Sequence, residues 1–152
     1  MTDGLKASLE RLERLVHLRQ TYVSVAEAGV KQAEGEMRRL ESANNELTGN
    51  IRATQAGIAH LQSSTGQAVQ ISERYMRALE YQRKLIQQSL VKATTNLDLR
   101  RSEWTEAMRE EKIVAKLQEH RVHQSVREDD AVQQKSQDDA SISRYVRTRL
   151  EK

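Results

Sequence analysis

Residues 5–61, LKASLERLERLVHLRQTYVSVAEAGVKQAEGEMRRLESANNELTGNIRATQAGIAHL, carry the pattern that decides the fold. Stepping from Leu5 by alternating four and three residues lands on Leu9, Leu12, Val16, Arg19, Val23, Ala26, Val30, Ala33, Met37, Leu40, Asn44, Leu47, Ile51, Thr54, Ile58 and Leu61. Of these 17 positions 14 are apolar. A 3.5-residue repeat kept in phase for about eight heptads holds an apolar stripe against a partner helix in a left-handed supercoil. Three positions break the stripe, Arg19, Asn44 and Thr54. Asn44 is either a polar residue that sets register or a locally wet point in the seam.

The pattern predicts a first helix from about Thr2 or Asp3, either of which suits an N-cap, to about Gln62. At about 1.5 Å per residue it would be roughly 90 Å long. Gly29, Gly35, Gly49 and Gly57 lie inside it without shifting its phase, so they are read as tolerated. Ser63-Ser64-Thr65-Gly66-Gln67 is the one cluster of turn formers in the first hundred residues, with Gly66 suited to positive φ.

Beyond the turn the same step gives Met76, Leu79, Arg83, Ile86, Leu90, Ala93, Leu97, Arg100, Trp104, Ala107, Glu111 and Val114, a poorer seam. The expected organisation is therefore helix 1 over 1–62, a turn at 63–67, helix 2 over 68–120, and a polar extension over 121–152. Gln-, Asp- and Glu-rich sequence from Glu119 to Ser141 predicts that the extension is frayed or disordered. Ile142, Tyr145, Val146 and Leu150, among Arg144, Arg147 and Arg149, form a short amphipathic stretch that would need a partner to fold on.

So short a connection requires the helices to lie antiparallel, giving an all-α helical hairpin. Residues whose numbers sum to about 130 should face each other. Trp104 would then oppose Ala26, Ala28 and Gly29, whose small side chains leave room for an indole.

Composition points the same way. Of 152 residues 71 are Ala, Glu, Lys, Leu or Arg, and there is no Pro, no Cys and no Phe. That is the composition of a coiled coil and not of a globular core. Without Cys there is no disulfide, thiol catalysis or Cys-based zinc site. The start of the chain has no apolar signal region and no span of about 18 apolar residues follows, so a cytoplasmic, soluble protein is expected. A net charge of +3 from 25 basic and 22 acidic residues is a mixed surface, so no nucleic-acid partner is expected.

Chemistry is nearly absent. His120 and His123 are three apart, but nothing completes a first shell of metal ligands around them, and they are read as a solvent-exposed pair. Glu110-Glu111 and Asp129-Asp130 have no cleft to desolvate them and are read as a solvated face. No catalytic residue, metal site or cofactor is assigned. Binding features are more informative. Arg100-Arg101, with Lys92, Arg109 and Lys112, are interrupted by Asp98, Glu103 and Glu106, as on an exposed helix face. Tyr75 lies one step off the seam with Leu79 four residues on, and Leu79 is expected to be partly covered so near the turn. The pair is either a small partner-binding motif or a flank of the core.

Leu9-Glu10-Arg11-Leu12-Glu13-Arg14-Leu15 with Leu18-Arg19, Lys31-Gln32-Ala33-Glu34, the run from Tyr75 to Gln82, and Trp104 to Leu117 together resemble the FliJ family of flagellar type III export proteins. The resemblance extends to about residue 120, and stalk proteins of injectisome type III secretion look much the same. It implies a non-enzymatic two-helix stalk that inserts into the hexameric export ATPase and promotes its assembly. It also implies contact with the membrane-embedded export gate protein and with export chaperones, at the inner face of the cell membrane. The family's gate contact matches Tyr75 and Leu79, facing Leu40, Ala43 and Leu47. Tyr75 stands where the family more often has Phe. The ATPase would meet the hairpin's open end, at Arg11, Arg14, Arg19, Arg109 and Lys112. The chain is expected to be a monomer in isolation. Two other classes are open: a homo-oligomeric scaffold using Leu15, Leu18, Tyr22, Leu85 and Leu99, and a nucleic-acid binder using Arg100, Arg101 and the Arg-rich C-terminus, recognisable by steep salt dependence.

Overall fold

The structure is a computed structural model that describes residues 3–61 and 65–151. Among these residues all regular structure is helical. α1 spans Asp3–His60 and α2 spans Gly66–Leu150. Thr2 and the part of the expected turn at Ser63 and Ser64 lie outside the described residues. Gly66 does not use positive φ. It is instead the first residue of α2, following Thr65, whose carbonyl accepts from the Ala68 amide at 3.0 Å and the Val69 amide at 3.4 Å. Thr65 thus stands at the N-cap position, where a carbonyl already accepts the first helical bonds.

The largest departure from the sequence reading is the C-terminal third. α2 does not end near residue 120 in a frayed tail, but continues as helix to Leu150. No Gly or Pro occurs after Gly66, and Gln, Glu, Arg, Lys and Ala are all good helix formers. Side chains also brace successive turns. Arg121 donates to Gln124 at 3.2 Å, Gln124 to Glu128 at 3.3 Å, and Gln134 to Asp138 at 3.2 Å. The expected fraying or disorder is therefore overturned: every residue from Asp129 to Glu151 is exposed, so low hydrophobicity removes the tertiary packing there and leaves the helix intact.

The chain divides into two compact units, one of Val25–Thr105 and one of Met1–Ser24 with Glu106–Lys152. In the first, α1 and α2 pack as an antiparallel hairpin around the heptad seam. Leu47, Ile51, Met76 and Leu79 form one core cluster, with Ile58 and Ile86 against it. Val30, Ala33 and Leu97 form a second, capped by Trp104. Thr94 beside Met37 and Arg101 paired with Glu34 at 3.6 Å follow the expected register, with numbers summing to about 130. Each such Leu or Ile removed from water contributes about 1.5–3 kcal/mol.

At Gly29 the expected Trp104 contact is replaced. Trp104 packs on the cluster of Val30, Ala33 and Leu97, and Ala28 is exposed. The space beside Gly29 is taken by Arg100, whose Cδ lies 3.6 Å from where a Cβ would stand. Arg100 also pairs with Glu103 at 3.1 Å, so its stem crosses the small residue while its head stays in solvent. At the polar seam position Asn44 the side-chain Oδ1 is buried with no hydrogen-bond partner among the described residues. The Asn44 carbonyl accepts from Thr48 at 2.8 Å.

In the other unit the first 22 residues of α1 lie along α2 with a thinner seam. Leu5 and Val114 are its buried hydrophobics, and Ser125 is a buried polar residue. The seam arginine is drawn to one side. Arg19 donates to the Glu110 carboxylate and lies over the Tyr22 ring, 5.7 Å from its centroid.

Candidate partner-binding surfaces

The five residues expected at the export gate do not form one surface. Tyr75 points outward and is 54 % exposed, as its place one step off the seam requires. Leu79 is not partly covered but buried, 5 % exposed, because Leu47, Ile51 and Met76 close over it. Leu47 belongs to the same cluster. Leu40 is buried in the seam on its own, and Ala43 is half-buried. Tyr75 alone of the five presents a large side chain to solvent.

Around Tyr75 the helix offers neighbours of which the sequence reading singled out only Leu85. Ile71, Tyr75, Ala78, Gln82 and Leu85 follow a four-three step that runs one residue out of phase with the seam. All five are exposed, Ile71 most among the large apolar members. The signal was in the sequence, but assigning the stronger seam first hid the weaker stripe beside it.

The basic residues expected at the open end all lie in the unit of Met1–Ser24 and Glu106–Lys152. Arg11, Arg14, Arg109 and Lys112 are exposed. Arg14 donates from Nε to the Glu10 carbonyl at 3.4 Å, and Arg109 stands 3.8 Å from the Glu106 carboxylate. Arg19 differs from the other four. It is half-buried and engaged with Glu110 and Tyr22.

The histidine pair sits on open helix surface. His120 and His123 are both exposed, with His123 Nε2 3.8 Å from Glu119. No group of three or more His, Cys, Asp or Glu side chains able to hold a metal occurs among the described residues. Glu36 and Arg39 show what electrostatics do here: the hydrogen bond from Arg39 holds the Glu36 carboxyl below its ordinary range and raises the guanidinium in turn. Both are solvent-facing, so the pair orders two side chains and shapes no site. Among the described residues no helix is long and apolar enough to cross a membrane.

What these surfaces can do is bind. The outer face of α2 near the turn carries an exposed aromatic, and both helices of the other unit carry exposed arginines. No curated protein and no solved structure matches the chain. Residues 8–150 match the family model described as Flagellar FliJ protein. With that match running through both helices, the chain belongs to the flagellar FliJ protein family, a non-catalytic component of flagellar protein export.

Proposed function

We propose that this protein is the stalk of the flagellar export ATPase, entering the ATPase hexamer by the unit of Met1–Ser24 and Glu106–Lys152 and promoting ring assembly. The turn-proximal part of α2 would meet the membrane-embedded export gate, and the same protein would hand over empty export chaperones. Its place would be the cytoplasmic side of the cell membrane, at the export apparatus. The match over residues 8–150 carries this reading, because it covers the turn-proximal face and the arginine-bearing unit together.

The arrangement gives each partner a physical handle. Arg11, Arg14, Arg109 and Lys112 present cations on exposed helix surface, where they suit carboxylates lining a ring. The extension of α2 to Leu150 adds Ile142, Tyr145 and Val146 to that unit, all solvent-exposed. A helix with exposed apolar side chains and no intrachain partner suits a protein that folds against a larger assembly. Tyr75 offers the gate an exposed aromatic anchor on a turn of α2 whose Met76 and Leu79 are buried in the core.

The test is ATP hydrolysis and ring assembly by the cognate export ATPase, with and without this protein. Wild type should stimulate both, and an Arg11→Ala, Arg14→Ala double variant should not. Tyr75→Ala should stimulate as wild type does while losing binding to the soluble part of the gate protein. A wild-type protein that changes neither rate nor assembly overturns the stalk reading.

A further inference from the structure

Arg19 marks one side of the helix pair. Because it touches both Tyr22 and Glu110, those two residues stand on the same side of the seam. One heptad before Tyr22 is Leu15, and one heptad after Glu110 is Leu117. In an antiparallel pair these two steps run in the same direction, so Leu15 and Leu117 repeat the juxtaposition. Leu18 lies between Leu15 and Tyr22, and Ile113 between Glu110 and Leu117, each at three- and four-residue spacing.

Five apolar side chains from two helices thus share one side of this unit. Leu18 is 44 % exposed and Ile113 51 %, with Tyr22 and Leu117 similar and Leu15 half-buried. The seam is served by other residues, Leu12, Val16 and Val114. Two parallel apolar rows beside a filled seam are the groove into which a third helix packs.

The margins say what kind of helix. Arg11 is one heptad before Leu18, Arg14 four residues before it, and Lys116 three residues after Ile113; all are exposed. The acids on this side are already engaged, Glu110 by Arg19 and Glu106 beside Arg109. A second copy laid face to face would set these cations against their own kind. A polyanion such as nucleic acid would leave the apolar rows uncovered. We propose that this side docks an amphipathic helix of a partner protein whose apolar stripe fills the groove and whose Glu and Asp margins meet Arg11, Arg14 and Lys116.

The proposal shares Arg11 and Arg14 with the ATPase reading but rests on the apolar rows beside them, and its test contains no ATPase, so the two readings fail separately. The full-length protein is titrated into a fluorescently labelled synthetic helix of about three heptads with Leu at the core positions and Glu at the margins, and into its Lys-margined counterpart. Saturable binding of the Glu peptide is expected, weakened by salt. Leu18→Ser with Ile113→Ser should raise its Kd at least about tenfold, while Val91→Ser, at an exposed site in the other unit, should not change it. Circular dichroism checks that helix is retained. If the Ser variant loses helix, the charge-reversed Arg11→Glu, Lys116→Glu variant decides, by shifting preference toward the Lys peptide. No binding of the Glu peptide, equal binding of both peptides, or a wild-type dimer that Leu18→Ser dissolves overturns the proposal, the last because a second copy then covers the groove.

Discussion

The unit of Val25–Thr105 and the unit of Met1–Ser24 with Glu106–Lys152 are built from the same two helices, yet they bury different things. Among the described residues nine of the 11 buried hydrophobics lie between Val30 and Leu97, and both core clusters are there. The other unit has Leu5 and Val114, with Arg19 and Ser125 at or near the seam. One unit is therefore held by its own core. The other keeps apolar and basic side chains on its surface, which is what a partner needs and what stability does not supply.

The largest expected effect falls where the core is. Ile51 is 3 % exposed, and Ile51→Ala should lower unfolding stability by about 2–4 kcal/mol, measured by urea denaturation. Val114→Ala should cost about 1–2 kcal/mol, since it deletes less from a thinner seam. Equal losses would end the distinction between the units. Hydrogen exchange sharpens it further. Amides of residues 30–51 should exchange by global opening, and those of residues 130–150, whose side chains are all exposed, much faster.

Asn44→Leu should raise stability by about 1–2 kcal/mol, because it removes a buried amide oxygen that has no partner among the described residues. If Asn44 sets register, the variant will also gain dimers or shifted pairings visible by sedimentation. Smaller again is Tyr75→Ala, which should lower unfolding stability by no more than about 0.5 kcal/mol while abolishing the proposed gate binding. A large stability loss would make Tyr75 a core residue. Smallest is the pair of Glu36 and Arg39. The carboxyl pKa is lowered on folding, so the pair's contribution is present above the unfolded carboxylate range and lost as pH falls through the folded value. Both groups face solvent, so Arg39→Ala should give the smallest loss of the series at neutral pH and none at acid pH, read from thermal melts.

The heptad from Leu5 to Leu61 made α1, its partner helix and their register legible, because a 3.5-residue period has one mechanical solution. The extent of α2 was not legible. Residues 121–150 lack the apolar content that signals packing, and helix there rests on the absence of breakers and on local side-chain pairs. For the surfaces, Tyr75 could be read as outward from its phase alone. Leu79 could not be read as covered, because its burial depends on Leu47 and Ile51 arriving from the other helix.

By itself the sequence determined a two-helix antiparallel coiled coil with no catalytic centre, and the family that such residues belong to. Spacing and composition are properties of the chain alone, and they need no third dimension to be read. Only the tertiary structure decided which side chains are left over. Arg19 became an engaged residue and Leu18 and Ile113 a shared groove because the partner helix supplied Glu110 on one side of the seam and nothing to cover the rows beside it.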